Sequence, residues 1–112
     1  MKEFMLLFRT DYRAMPKASP EEMQAMTKKW MDWISGIAAQ NKLFERGKRL
    51  SSEGKVIKAN NIITDGPYTE IKESVGGYSI LKVDSYEEAV EIAKGCPILT
   101  VGGNVEIREV SL

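Results

Sequence analysis

The sequence predicts an α+β fold whose elements run strand, helix, strand, strand, helix, strand, with an antiparallel sheet carrying both helices on one face. Three observations predict it. Residues 3–9, Glu-Phe-Met-Leu-Leu-Phe-Arg, read as a strand near the start of the chain. Ser19 with Glu22 and Ser85 with Glu88 form two capping boxes, each opening an apolar pattern of helical period. Residues 105–110 alternate apolar and polar with the period of a strand.

In the first strand Phe4, Leu6 and Phe8 point to one face, Met5 and Leu7 to the other. Both sets are apolar, which predicts cover on both faces: the chain's own helices on one, a second copy of the protein on the other. A polar connection with Pro16 follows. Ser19 then caps a helix with Pro20 at its first position. Met23, Met26, Trp30, Trp33, Ile34 and Ile37 form one apolar stripe along it, up to about Asn41. Gly36 in this helix costs about 1 kcal/mol relative to alanine, which suggests a close packing contact. Residues 43–61 carry turn signals at Gly47 and Ser52-Glu53-Gly54 around short strands, one of them at residues 55–59. Residues 62–64 are a brief apolar run, and residues 78–83 are β-rich. Ala89, Ile92, Ala93 and Cys96 recur at i, i+3, i+4 and i+7, giving a short amphipathic helix that Pro97 stops. Gly102-Gly103-Asn104 turns into the last strand. This is the βαββαβ order of a ferredoxin-like fold, in one domain over residues 1–112.

Composition narrows the function classes. Sixteen basic and sixteen acidic residues cancel, which argues against direct nucleic-acid binding, where a basic excess is needed. No apolar run approaches the roughly 20 residues that span a bilayer, and Met1-Lys2-Glu3 does not open a secretory signal. The single cysteine, Cys96, forms no internal disulfide and fits a reducing cytoplasm. Histidine is absent, so Ser-His, Cys-His and His-metal mechanisms are excluded within this chain. The enzyme hypothesis is therefore one without metal or cofactor, acting through carboxylate, phenol, lysine or arginine.

The densest run of residues with special backbone behaviour is Thr64-Asp65-Gly66-Pro67-Tyr68-Thr69-Glu70-Ile71-Lys72-Glu73, closed by Gly76-Gly77-Tyr78. Asp65, Gly66 and Pro67 read as a turn. Alternatively Asp65 points into a cleft as a base, with its pKa raised by burial or by Glu70 and Glu73. Lys72 and Glu73 form a charge pair or present a cation to an anionic ligand. Gly76 and Gly77 permit a bulge or a close backbone approach. Tyr68 and Tyr78 pack, or donate phenolic hydrogen bonds to a substrate. Trp30 and Trp33 read as core, and Cys96 as a buried, inert thiol. Arg9 and Arg108 are solvated, or bind a carboxylate where the sheet lines a barrel.

The pattern Asp65-Gly66-Pro67-Tyr68-x-Glu70-x-Lys72-Glu73-x-x-Gly76-Gly77-Tyr78, with Cys96-Pro97 and Gly103-x-Val105-Glu106-Ile107-Arg108, resembles the DGPF-domain branch of the YCII-related family. The Met5-Leu6-Leu7 strand and the Ser19-Pro20-Glu21-Glu22 helix start extend the resemblance over nearly the whole chain. The resemblance implies a ferredoxin-like subunit that pairs sheet to sheet as a dimeric α/β barrel, with a cleft lined partly by the motif. It also implies enzymatic function through a His–Asp pair in the wider family, and association with extracytoplasmic-function sigma factors in this branch. The chain departs from the pattern at Tyr68, where the motif has Phe, and at Glu109, where Pro is usual. Its lack of histidine puts His–Asp chemistry out of reach.

The expectation is therefore a cytoplasmic homodimer with a small-molecule cleft in each subunit, near the Asp65 loop and the sheet. Asp65 and Tyr78 are the candidate catalytic pair. Arg9, Gly66, Pro67, Tyr68, Lys72, Glu73 and Arg108 are the candidate ligand contacts. The alternative is a non-catalytic regulatory or accessory protein linked to sigma-factor-dependent transcription.

Overall fold

A computed structural model describes residues 1–11, 19–66 and 74–111. Pro16 and residues 67–73, which include Pro67, Tyr68, Lys72 and Glu73, lie outside the described residues. The elements, in chain order, are β1 (Lys2–Thr10), α1 (Pro20–Ala39), β2 (Leu43–Glu45), β3 (Gly54–Lys58), β4 (Ile62–Gly66), β5 (Ser74–Val83), α2 (Tyr86–Ala93) and β6 (Asn104–Glu109). Strands β2, β5, β1 and β6 form one antiparallel sheet in that order. With α1 and α2 this is the ferredoxin-like βαββαβ arrangement. Strands β3 and β4 form a separate two-stranded hairpin inserted between β2 and β5.

Alternation along β1 sets the core. Phe4, Leu6, Phe8 and Thr10 are buried, while Met5, Leu7 and Arg9 are half-buried on the opposite face. In β5, Ser79, Leu81 and Val83 join the buried face, and Val105 and Ile107 of β6 pack against it. The helices cover this face through Ile37 of α1 and Ala89 and Ala93 of α2, with Cys96 and Ile98 closing the end.

Both helix starts follow their sequence signals. Ser19 Oγ accepts a hydrogen bond from the Glu22 N–H at 3.1 Å, and Ser85 Oγ accepts from the Glu88 N–H at 3.2 Å. Each such cap stabilises its helix by about 1 kcal/mol. Helix α1 ends at Ala39, and Asn41 follows in the left-handed region at φ 58°, a conformation asparagine tolerates at a helix end. Burial along the stripe of α1 is uneven. Ile37 is buried and Trp33 packs on the core, whereas Met23 near the other end is exposed.

Gly36 does not make the close contact its cost suggests. A Cβ there would meet nothing within 4 Å, so the glycine only loosens the helix. Gly36→Ala is expected to stabilise the protein by about 1 kcal/mol, read as a higher urea midpoint. No gain would mean that the glycine has a role in the folded state beyond packing.

Strand β5 is longer than its β-rich core, because it starts at Ser74 and carries Gly76 and Gly77 within it. The pairing with β1 passes from Phe8↔Gly77 to Arg9↔Val75, so Gly76 is the extra residue of a bulge. Gly77 also permits a close approach: a Cβ on it would lie 3.0 Å from the Lys48 carbonyl oxygen. Both readings of the glycine pair hold.

The hairpin differs from the expected organisation. Asp65 and Gly66 end β4, paired with Lys55 and Gly54, and the turn expected at Asp65-Gly66-Pro67 continues outside the described residues. The reversal between β3 and β4 lies at residues 59–61, where Asn60 and Asn61 have φ of 71° and 60°. Ile57 and Ile63 face one another on this ribbon and are 70% and 65% exposed, so the hairpin stands clear of the main core.

Candidate functional site

The uneven burial of α1 leaves a cleft beneath it. It lies between the first half of the helix and the sheet, with a volume of about 1110 Å³. Met23, Met26, Trp30 and Ile34 form its helix wall, and Phe8, Thr10 and Ser79 form its sheet wall. At the sheet edge it is bordered by Arg46, Gly47, Lys48 and Arg49, beside Gly76, Gly77 and Tyr78. Apolar walls with a few polar groups are the usual character of small-molecule sites.

That edge is held by main-chain geometry. The Leu50 N–H donates to the Gly76 carbonyl at 2.8 Å, and the Tyr78 N–H donates to the Lys48 carbonyl at 3.2 Å. Ser79 Oγ donates to the Arg46 carbonyl at 2.6 Å. Gly47 adopts φ 78° and comes so close to β5 that a Cβ would sit 1.7 Å from the Tyr78 carbonyl oxygen. Only glycine fits there. Residues 46–50 thus extend the sheet beyond the short strand β2.

The aromatic wall is ordered by edge-on contacts. Trp30 meets Phe8 with ring centroids 4.9 Å apart and planes at 81°, and it meets Trp33 at 5.7 Å and 81°. Trp33 also donates its indole N–H to the Ile92 carbonyl at 3.1 Å, tying α1 to α2.

The candidate residues named from the sequence fall in three places. Tyr78 borders the cleft with its backbone; it pairs with Leu7 and alternates with the buried Ser79, so its side chain lies on the other face of the sheet, near Glu45. The charge of Glu45, with burial and a hydrogen bond adding to it, raises the phenol above its ordinary value of 10.0. Arg9 and Arg108 meet on the other face of the sheet, around Glu106. Arg9 Nη2 and Nε donate to Glu106 Oε1 at 2.8 and 3.1 Å, and Arg108 Nη1 donates to Oε2 at 3.4 Å. Asp65 forms an ion pair with Lys55 across the hairpin; its side chain is 88% exposed and does not line the cleft. Gly66 lies beside it at the end of β4. The structure does not bring Asp65 and Tyr78 together as a pair.

Hydrogen bonding from Arg9 holds the Glu106 carboxyl below its ordinary value of 4.5, against the opposing effect of burial, and Arg108 adds to it. A carboxyl whose pKa is depressed in the folded state adds stability above its unfolded value, and that stability is lost as pH falls through the folded value. Stability is thus expected to drop on acidification below about pH 4.5, and Glu106→Gln is expected to flatten the drop. The contribution is modest, because the pair is partly solvated. Urea midpoints across pH 3–6 check this; parallel profiles for the two proteins would remove the Arg9–Glu106 pair as a source of acid sensitivity.

Cys96 is 2% exposed, and burial pushes its thiol up to about 11. It is a core residue, not a nucleophile. Among the described residues no group of three or more potential ligands is placed to hold a metal ion, and no helix is long and apolar enough to cross a membrane.

Neither the apolar half of α1 nor the Arg46-Gly47-Lys48-Arg49 strip stood among the expected site residues. The available signal was a glycine embedded in a basic run, in the segment where the strand assignment was least defined.

A small ferredoxin-like α+β domain with an amphipathic cleft under its first helix is the class of protein that fold and site define. The chain belongs to the YCII-related domain family, whose model matches residues 3–112. A comparison with curated proteins gives no match. Among solved structures the chain is similar to 5-chloro-2-hydroxyhydroquinone dehydrochlorinase (TftG) from Burkholderia phenoliruptrix AC1100, in complex with 2,5-dihydroxybenzoquinone. The identity is 15%, over 96% of this chain and 93% of that one, with a TM-score of 0.43.

Proposed function

We propose that this protein is a small-molecule-binding homodimer of the DGPF branch, and that the cleft between α1 and the sheet is its binding site. The observation that carries this reading is the cleft itself: about 1110 Å³ between half of an apolar helix and the sheet. Met23 exposed and Met26, Trp30 and Ile34 only half-buried along this stripe leave apolar surface in water, and a bound organic molecule relieves that cost. The Asp65-Gly66-Pro67-Tyr68 motif and Gly76-Gly77-Tyr78 support the assignment to the branch.

The homodimer reading rests on the second face of the sheet. Met5, Leu7 and Ile80 are half-buried there, and among the described residues both helices cover the opposite face. A second copy packed sheet to sheet would cover this surface. A stable monomer by light scattering at micromolar concentration would overturn the dimer.

Binding is favoured over catalysis. Among its described residues the cleft has no histidine or cysteine, and Tyr78 borders it with its backbone while its phenol lies on the other face of the sheet. This supports the accessory or regulatory role over an enzyme-like one. A thermal-shift screen of mixed metabolites should yield a compound that raises the melting temperature of the wild type but not of Met26→Trp, in which the cleft is filled. A compound that stabilises both equally would place its site elsewhere.

A further inference from the structure

We propose that the cleft takes an aromatic monocarboxylate, its ring against Trp30 and Phe8 and its carboxylate on the strip Arg46, Lys48 and Arg49. This rests on the reading of the cleft as a small-molecule site and names the ligand class.

The wall selects an aromatic body. Trp30 is braced edge-on by both Phe8 and Trp33, so little rotamer freedom remains to be lost when a ring packs on it. Met23 and Met26 beside it carry soft thioethers that adapt to aromatic surfaces. The two tryptophans also differ in their N–H groups. That of Trp33 is taken by the Ile92 carbonyl, whereas that of Trp30 donates to no group among the described residues. A donor is thus left on a residue of the cleft wall.

The rim selects a single negative charge. Arg46, Lys48 and Arg49 form no ion pair among the described residues, whereas Arg9, Lys28, Lys42, Lys55, Lys94 and Arg108 all do. Their backbone is pinned to β5 by the Leu50, Tyr78 and Ser79 hydrogen bonds and by the glycine-only approach at Gly47. The backbone that carries three cations is therefore fixed beside the cleft, and among the described residues no carboxylate pairs with them. Among the described residues the other charged groups of the lining are the carboxylates of Asp11, which has a further partner of its own, and Glu22, so positive charge exceeds negative by one. A monoanion neutralises that surplus, and a second or third negative charge meets those carboxylates. Arginine and carboxylate also match in bidentate geometry.

The test uses the full chain with 2-naphthoate, its neutral amide 2-naphthamide, and naphthalene-2,6-dicarboxylate, with binding read by tryptophan fluorescence and calorimetry. The proposal expects 2-naphthoate to bind at least tenfold more tightly than either of the other two, with affinity that falls as salt rises. In the triple variant Arg46→Gln, Lys48→Gln, Arg49→Gln, naphthoate and naphthamide are expected to bind equally, with the melting temperature within a few degrees of the wild type. These positions are exposed, so the fold is retained. Equal affinities in the wild type, a preference for the dicarboxylate, or a naphthoate preference that survives the triple substitution would each overturn the proposal while leaving the cleft as a binding site. Failure of all three probes to bind would sink the cleft reading as well.

Discussion

Gly47→Ala is expected to cost about 4 kcal/mol of stability. Two terms combine. A left-handed backbone at φ 78° costs an L-residue about 1–2 kcal/mol. The added Cβ would overlap the Tyr78 carbonyl oxygen at 1.7 Å, an overlap that no side chain can relieve because both partners are backbone. Relief requires residues 46–50 to draw away from β5, loosening the Leu50–Gly76 and Ser79–Arg46 hydrogen bonds, and overpacking of this kind costs about 1–3 kcal/mol. Gly102→Ala isolates the first term, because Gly102 has φ 82° and nothing within 4 Å of a Cβ. Urea unfolding of both variants measures the difference. Equal losses would show that the close approach to Tyr78 carries no energy.

Phe4→Ala is the second large effect, at about 4 kcal/mol. Phe4 is fully buried in the middle of the sheet and meets Tyr86 edge-on, with centroids 4.7 Å apart and planes at 73°. Its removal leaves a cavity between β1 and the start of α2, where Ala89 supplies no side chain long enough to fill it. Against a total stability of about 5–15 kcal/mol, that loss brings the protein near its unfolding threshold. Tyr86→Phe is the milder companion. The Glu109 N–H donates to Tyr86 Oη at 2.9 Å, and losing that bond costs about 1 kcal/mol. A Phe4→Ala loss below about 2 kcal/mol would mean that α2 settles onto the gap.

Elements with local causes were legible in the sequence. The two serine caps, the alternation in β1 and the spacing of Ala89, Ala93 and Cys96 depend only on neighbours along the chain, and each is found where its pattern lies. The first residues of β5 were not legible, because Gly76-Gly77 interrupts the strand pattern after Val75 and the pairing with β1 passes through a bulge there. The hairpin's limits were obscured for a related reason: its turn is made by Asn60 and Asn61, where no Gly or Pro marks a reversal.

The site was less legible, and Trp30 shows why. An apolar stripe reads the same whether it faces a packed core or an open cleft. The choice depends on how far the helix stands from the sheet, which no residue of the stripe encodes alone. Emphasis fell on Asp65 because unusual backbone residues cluster around it. The structure puts its carboxylate on a hairpin beside Lys55, away from the cleft.

The hairpin of β3 and β4 has a thermodynamic consequence. A two-stranded ribbon with its isoleucines in water is marginal when it must support itself. It can open while the four-stranded sheet stays closed, so the molecule contains two cooperative units of unequal strength. A single melting temperature then reports the sheet and leaves the ribbon unseen. Amide exchange at Val56 and Thr64 would run orders of magnitude faster than at Leu6 and Leu81, at a rate that substitutions in the core leave unchanged.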